Sequence, residues 1–156
     1  MRTRSKWQYL PTEAINPKTL SMDQASTEEI IDLMLQEDRK TIIAVQREKE
    51  RIAIGAELIT QAFRTGGRLV FVGAGTSGRL GVLEAAEMLP TFGTPPRLVQ
   101  AVMAGGRAAF FKPREGVEDN FEEGGRAVGR LRPPRPARLI GVSARGRGPC
   151  RRGTGA

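Results

Sequence analysis

Hydrophobic residues in the first third of the chain fall at three- and four-residue steps. Ile30, Ile31, Met34 and Leu35 open the series, and Ile42, Val45, Ile52, Ala56, Ile59 and Phe63 continue it. That spacing places apolar side chains on one face of an α-helix. The start is marked by "STEE", in which Ser26 and Glu29 have the spacing of a capping box, each side chain satisfying the other's backbone N–H. Helix is therefore predicted from Ser26 onward, after an irregular, proline-marked lead over residues 1–25, and Gly66-Gly67 is predicted to end it.

At "RLVFVG" the pattern changes to a short, continuously apolar run rich in β-branched residues, which predicts a strand buried on both faces of a parallel sheet. A glycine-rich turn follows, then a helix to about Met88, ahead of Pro90. "TFGTPPR" reads as a loop and "LVQAVMA" as a second strand that passes straight into "AGGRAAF". Residues 116–131 read as another helix and "ARLIGVSA" as a third strand. Strands alternating with helices predict an α/β fold with a parallel sheet behind a helical lead. Beyond Val142 the apolar period ends, and the Gly/Arg-rich residues 144–156 are expected to form a disordered tail.

Composition narrows the chemistry. At 156 residues and 39% hydrophobic content the chain has the size of one domain with a real core. No run approaches the roughly 18 apolar residues of a membrane span, and "MRTRSKWQYLPTEAINP" lacks the apolar stretch of a secretory signal, so a cytoplasmic location is expected. Cys150 is the sole cysteine and histidine is absent. An internal disulfide, the usual nitrogen and sulfur metal cages, and Ser-His-Asp or Cys-His catalysis are thereby excluded. Acid–base chemistry near neutral pH falls to carboxylates, lysine, tyrosine or Cys150.

The net charge of +8 is unevenly spread. Residues 1–125 hold 16 Lys+Arg against 17 Asp+Glu, whereas residues 126–156 hold nine arginines and no acid. A basic tail can neutralise phosphates, but this one has no aromatic residue to stack bases, so nucleic acid is not the expected partner.

The turn after the first strand has the spacing Gly73-x-Gly75-x-x-Gly78 found in dinucleotide sites. Such sites need an acidic residue about 20 positions on to hold a ribose hydroxyl, and none occurs between Glu87 and Glu115. Thr76 and Ser77 instead place two hydroxyls beside backbone N–H groups at a helix N-terminus, an arrangement suited to a phosphate or to sugar hydroxyls. The other reading is structural: the glycines make a tight turn and the hydroxyls cap the helix.

The segments "TEAINPKT", "ASTEEIIDLMLQEDRKTIIAV", "GGRLVFVGAGTSGRLGVLEAAEMLPTFGTPP", "VMAGG" and "REGVEDN" occur in the order and spacing of the N-acetylmuramic acid 6-phosphate etherases, a family within the sugar isomerase (SIS) fold. The resemblance covers roughly residues 12–143, and the chain is similar as well to the vertebrate glucokinase regulatory protein, a non-catalytic relative. It implies an SIS-type three-layer α/β/α sandwich with a parallel sheet, here incomplete, spanning residues 26–143 together with its N-terminal helices. It further implies a homodimer with sites near the subunit interface, a phosphorylated amino sugar as ligand, and no metal or organic cofactor. The family reaction removes the D-lactyl ether from C3 of N-acetylmuramic acid 6-phosphate, and two carboxyl groups in different protonation states suffice for it. By resemblance Glu87, last letter of "LEAAE", matches the catalytic acid and Glu118, in "EGVED", the base. Thr76 and Ser77 match the sugar-contacting turn, with Gly73, Gly75 and Gly78 letting the backbone approach the ligand. The residues alone leave another reading open. Glu87 shares a helix with Glu84, and Glu118 lies in an acidic cluster with Glu115, Asp119, Glu122 and Glu123 that fits a solvated first turn.

The sequence also departs from the family. Where members carry a second hydroxyl-bearing loop of the form Ala-Ser-Gly-x-Thr-Pro after the third strand, Arg145 stands in place of the serine and Gly148 in place of the threonine. The later strands and the C-terminal helical region are missing, and the abrupt change of composition suggests a shift of reading frame near residues 143–145. An unbroken frame through Ala156 in the source DNA would refute that. Little turnover is expected from such a chain. Three function classes follow: an etherase represented by its N-terminal half, a non-catalytic phosphosugar-binding module, and a polyanion-binding protein acting through the tail.

Overall fold

A computed structural model describes residues 14–112, 126, 128–129 and 137–143. The chain divides into two compact units, residues 1–55 and 56–156.

In the first unit, two 3₁₀ turns, Pro17–Thr19 and Met22–Gln24, lead into helix α1, Thr27–Arg47. The capping box forms as the sequence predicts. Glu29 N–H donates to Ser26 Oγ at 3.3 Å, while the Glu29 carboxylate accepts from Ser26 N–H at 2.7 Å and from its hydroxyl at 2.8 Å. Those bonds, the backbone one first, hold the Glu29 carboxyl below its ordinary pKa. Glu37 is lowered in the same direction, chiefly by its bond from the Lys40 ammonium. Among the described residues, however, α1 buries nothing: Ile31, Met34, Leu35, Ile42 and Val45 of its apolar face are exposed.

The helix breaks at Glu48 and resumes as α2, Lys49–Arg64. The predicted Gly66-Gly67 stop is a left-handed cap. Gly66, at φ 76°, donates to the Phe63 carbonyl and Gly67 to that of Ala62, the paired bonds that close a helix on a glycine.

In the second unit, β1 (Arg68–Gly73), β2 (Val99–Met103) and β3 (Ala137–Val142) form a parallel sheet in the order β2-β1-β3. Gly73 is the hub of both registers, pairing with Met103 on one side and Val142 on the other. The apolar run predicted as a strand is β1, which lies between the other two, with Leu69, Val70, Val72 and Gly73 buried. Val70 and Val72 form a core with Val102, against which Leu139 and Val128 pack. Of the helix predicted over 116–131, Arg126, Val128 and Gly129 are described and helical; the remainder lies outside the described residues, as do residues 144–156.

Helix α3, Gly75–Phe92, packs on β1 and β2. It does not stop near Met88 as the sequence predicts but continues through Pro90. The proline falls in the last turn, where it removes one backbone bond and little helix remains to disrupt. Gly93, at φ 64°, ends the helix by donating to the Leu89 carbonyl. Thr91 and Phe92 of the predicted loop therefore belong to the helix. Beyond β2, in "AGGRAAF", for which the sequence predicts no element, Gly105 (φ 81°) caps a six-residue helix α4, Gly106–Phe111.

The junction of β1 with α3 is a backbone-on-backbone contact. A Cβ on Gly73 would lie 2.8 Å from the Gly78 nitrogen, and one on Gly78 would lie 2.7 Å from the Gly73 carbonyl oxygen and 3.0 Å from Met103 Cγ. Gly75 differs: nothing lies within 4 Å of its Cβ position, but its φ is +54°.

Two predictions follow from these local forces. Because the folded-state pKa of Glu29 is lowered, its contribution is present above the unfolded carboxylate value of about 4.3 and is lost as pH falls through the lowered value. Circular dichroism of the chain is expected to show helix loss on acidification through that range, and Ser26→Ala to flatten this dependence. For the glycines, thermal or urea unfolding is expected to report a loss of about 1–3 kcal/mol for Gly78→Ala, by overpacking against fixed backbone. Gly75→Ala is expected to lose about 1–2 kcal/mol from backbone conformation alone, and Gly75→Asn less, since asparagine tolerates the left-handed region.

Candidate functional site

In an open parallel sheet, ligands collect beyond the carboxyl ends of the strands where the strand order reverses. Here that point lies between β1 and β3, because the chain passes from β1 to β2 on one side and returns to β3 on the other. The turn leaving β1 sits at this edge. Ser143, exposed, is one residue past the Gly73↔Val142 pair, so the chain leaving β3 starts beside the turn.

Gly73 ends β1, Ala74 is the N-cap of α3, and Gly75, Thr76, Ser77 and Gly78 make its first turn. The first helical bond runs from Gly78 N–H to the Ala74 carbonyl at 3.1 Å. The N–H groups of Gly75, Thr76 and Ser77 thus have no helical acceptor. The N-cap residue is Ala74, whose methyl makes no capping bond, and among the described residues no bond from the Thr76 or Ser77 hydroxyl caps the helix. Thr76 is exposed and Ser77 half-buried, and neither hydroxyl has a partner among the described residues. Three backbone donors and two hydroxyls therefore gather at the positive end of an 18-residue helix, where an anionic group is favoured.

Glu87 lies on the same helix and is exposed, as is Glu84. It is twelve residues beyond Gly75, which at the helical rise is about 18 Å along the axis. Glu87 thus lies near the opposite end of the helix from the turn. Glu118 lies outside the described residues. Among the described residues no three His, Cys, Asp or Glu side chains gather in a way that would hold a metal ion. Nor is any of their helices long and apolar enough to cross a membrane.

Sequence reasoning missed a link between the turn and the chain after β2. The Ala104 N–H donates to the Gly73 carbonyl at 2.9 Å, and the Arg79 guanidinium reaches the carbonyls of Ala109 and Phe110 at the end of α4. A signal existed for α4 itself, though not for the bonds to it: Gly105-Gly106 followed by "RAAF", a glycine cap ahead of helix-forming alanines.

Residues 50–153 match the family model described as the glucokinase regulatory protein N-terminal SIS domain. The N-acetylmuramic acid 6-phosphate etherase of Picosynechococcus sp. is 45% identical over 141 residues, covering 90% of this chain and 47% of that protein. That of Thermosynechococcus vestitus is 46% identical over 141 residues, 90% of this chain and 46% of that protein. N-acetylmuramic acid 6-phosphate etherase 2 of Lactiplantibacillus plantarum is 45% identical over 140 residues, with 90% and 47% covered. The chain spans about half the length of the curated relatives it matches. With its parallel sheet, helical lead and glycine turn all in the expected order, the chain belongs to the SIS-domain family of the N-acetylmuramic acid 6-phosphate etherases and the glucokinase regulatory protein.

Proposed function

We propose that the chain serves in the cleavage of N-acetylmuramic acid 6-phosphate to N-acetylglucosamine 6-phosphate and D-lactate. The observation that carries this reading is the first turn of α3, with the N–H groups of Gly75, Thr76 and Ser77 and two unpartnered hydroxyls at the switch point of the sheet. It is supported by the identity to etherases over nine-tenths of the chain.

The chemistry asks for two carboxyl groups. In the open-chain aldehyde the C2 hydrogen is acidified by the neighbouring carbonyl. Glu118, as base, takes that proton, the C3–O bond breaks, and Glu87, as acid, gives a proton to the departing lactate oxygen. Water then adds across the resulting double bond, with its hydroxyl at C3 and its hydrogen at C2, to give the product sugar. The turn holds the sugar, with Gly73 and Gly78 bringing the backbone close and Thr76 and Ser77 donating hydrogen bonds.

The axial separation of about 18 Å between Gly75 and Glu87 supports a site shared by two copies, in which Glu87 of one approaches the turn of the other. The exposed apolar residues of α1 and the groove lined by Ile42, Val45 and Ile52 are surface that a homodimer would cover. A sugar phosphate does not cross membranes unaided, which favours a cytoplasmic site of action in the recycling of cell-wall sugars.

A second reading is favoured by Arg145 and Gly148, which replace the hydroxyls of the second phosphate loop. With those donors gone, the chain would bind a phosphosugar without turning it over, as a non-catalytic SIS module.

D-lactate release from N-acetylmuramic acid 6-phosphate by the purified chain separates the two. The etherase reading expects release, a fall in kcat of about 10²–10⁴-fold in Glu87→Gln and in Glu118→Gln, and a raised KM in Ser77→Ala. If the site combines carboxylates from two copies, mixing the two inactive variants restores release. Calorimetric binding without release would establish the second reading, and neither binding nor release would overturn both.

A further inference from the structure

Arg79 is the fifth residue of α3, on the helix whose first turn carries Thr76 and Ser77. Its side chain reaches across to α4. Nε donates to the Phe110 carbonyl and Nη2 to the Ala109 carbonyl, both at 2.9 Å and partly buried. These are terminal carbonyls of α4, and the last four carbonyls of a helix have no partner within it. Lys112 N–H takes that of Ala108 at 3.0 Å, leaving the adjacent pair to the guanidinium. The planar fork of arginine suits two neighbouring carbonyls at once, and a cation at a helix C-terminus is favoured by the peptide dipoles. At its other end the same stretch is tied to the turn through Ala104 N–H and the Gly73 carbonyl, 2.9 Å apart. Residues 104–112 are thus fastened at both ends to the segment Gly73–Arg79.

We propose that Arg79 is a positioning residue whose fork fixes the exit of α4 at Lys112 relative to the turn of Thr76 and Ser77. It thereby sets the origin of the chain that reaches Glu118 six residues later. The catalytic part of this inference rests on the reading of Glu118 as the base. Because Nε and Nη2 are committed to carbonyls, the effect expected of Arg79 is on the exit of α4 at Lys112 and not on how tightly the sugar is held.

The test compares the full 156-residue chain with Arg79→Lys and Arg79→Met. Hydrogen exchange is followed in peptides covering residues 104–112, with β1 as an internal control for folding, and D-lactate release from N-acetylmuramic acid 6-phosphate is resolved into kcat and KM. In Arg79→Met, exchange over 104–112 is expected to rise about tenfold with β1 unchanged. kcat is expected to fall about 10- to 100-fold, as misplacement of a reacting group does, with KM nearly constant. Arg79→Lys, which keeps the charge and one bond at a time, is expected to lie between the two. Unchanged exchange over 104–112 in both variants overturns the proposal, as does a rise in KM at constant kcat, which would make Arg79 a ligand contact. If the wild-type chain releases no D-lactate, the catalytic reading fails separately, and the exchange comparison alone decides whether Arg79 fixes α4. A loss of β1 protection in Arg79→Met moves that decision to Arg79→Lys.

Discussion

The contact between Gly73 and Gly78 sets the geometry of everything around the turn. Strand end and helix start meet backbone to backbone at distances no side chain would permit, so α3 leaves β1 without a spacer and its first turn opens at the sheet's carboxyl edge. The Gly73 carbonyl also accepts from Ala104, which fastens the far end of β2 to the same point. Gly81 repeats the device one turn on, where a Cβ would lie 2.8 Å from that of Phe71. The close approach of helix to sheet keeps the donors of Gly75, Thr76 and Ser77 at the edge, where a ligand can reach them.

Much of this was legible in the sequence wherever short-range rules and burial agree. The capping box at Ser26 and Glu29, the glycine stop at Gly66, and a parallel strand announced by "RLVFV" all depend on a few neighbouring residues or on an unbroken apolar run. Errors arose where one local signal was weighed without its position. Pro90 reads as a terminator, but in the last turn of a helix already packed on two strands it costs one bond. Gly105-Gly106, for which no element was predicted, caps α4. The reach of Arg79 across about thirty residues to α4 had no sequence signal, because carbonyl acceptors exist at every position and only the fold selects which pair a guanidinium meets.

The candidate site divides in the same way. The glycine turn follows from local chemistry, and the absence of the ribose-binding acid separates it from a dinucleotide site without reference to any relative. Glu87 is different: nothing in its surroundings marks an exposed helical carboxylate as reactive, and its proposed role comes from family resemblance. Its distance from the turn along α3 gives that resemblance a physical condition, which the proposed function meets with a site shared by two copies. The exposed apolar face of α1 is consistent with that condition, because the isolated chain leaves the side chains of Met34, Leu35 and Ile42 in water.

The strand order β2-β1-β3 has a consequence for the chain as it is made. β1 pairs with β2 after about thirty residues, Leu69 with Val99, but its other edge waits for β3, with Arg68 and Ala137 separated by 69 positions. At ribosomal rates of about 5–20 residues per second, that edge stays open for roughly 3–14 seconds of synthesis. Throughout that interval the most apolar strand of the sheet carries unpaired N–H and C=O groups along one side, the feature that invites pairing with another nascent chain. Synthesis speed through residues 68–137 therefore sets how long the newborn protein is exposed to misassembly.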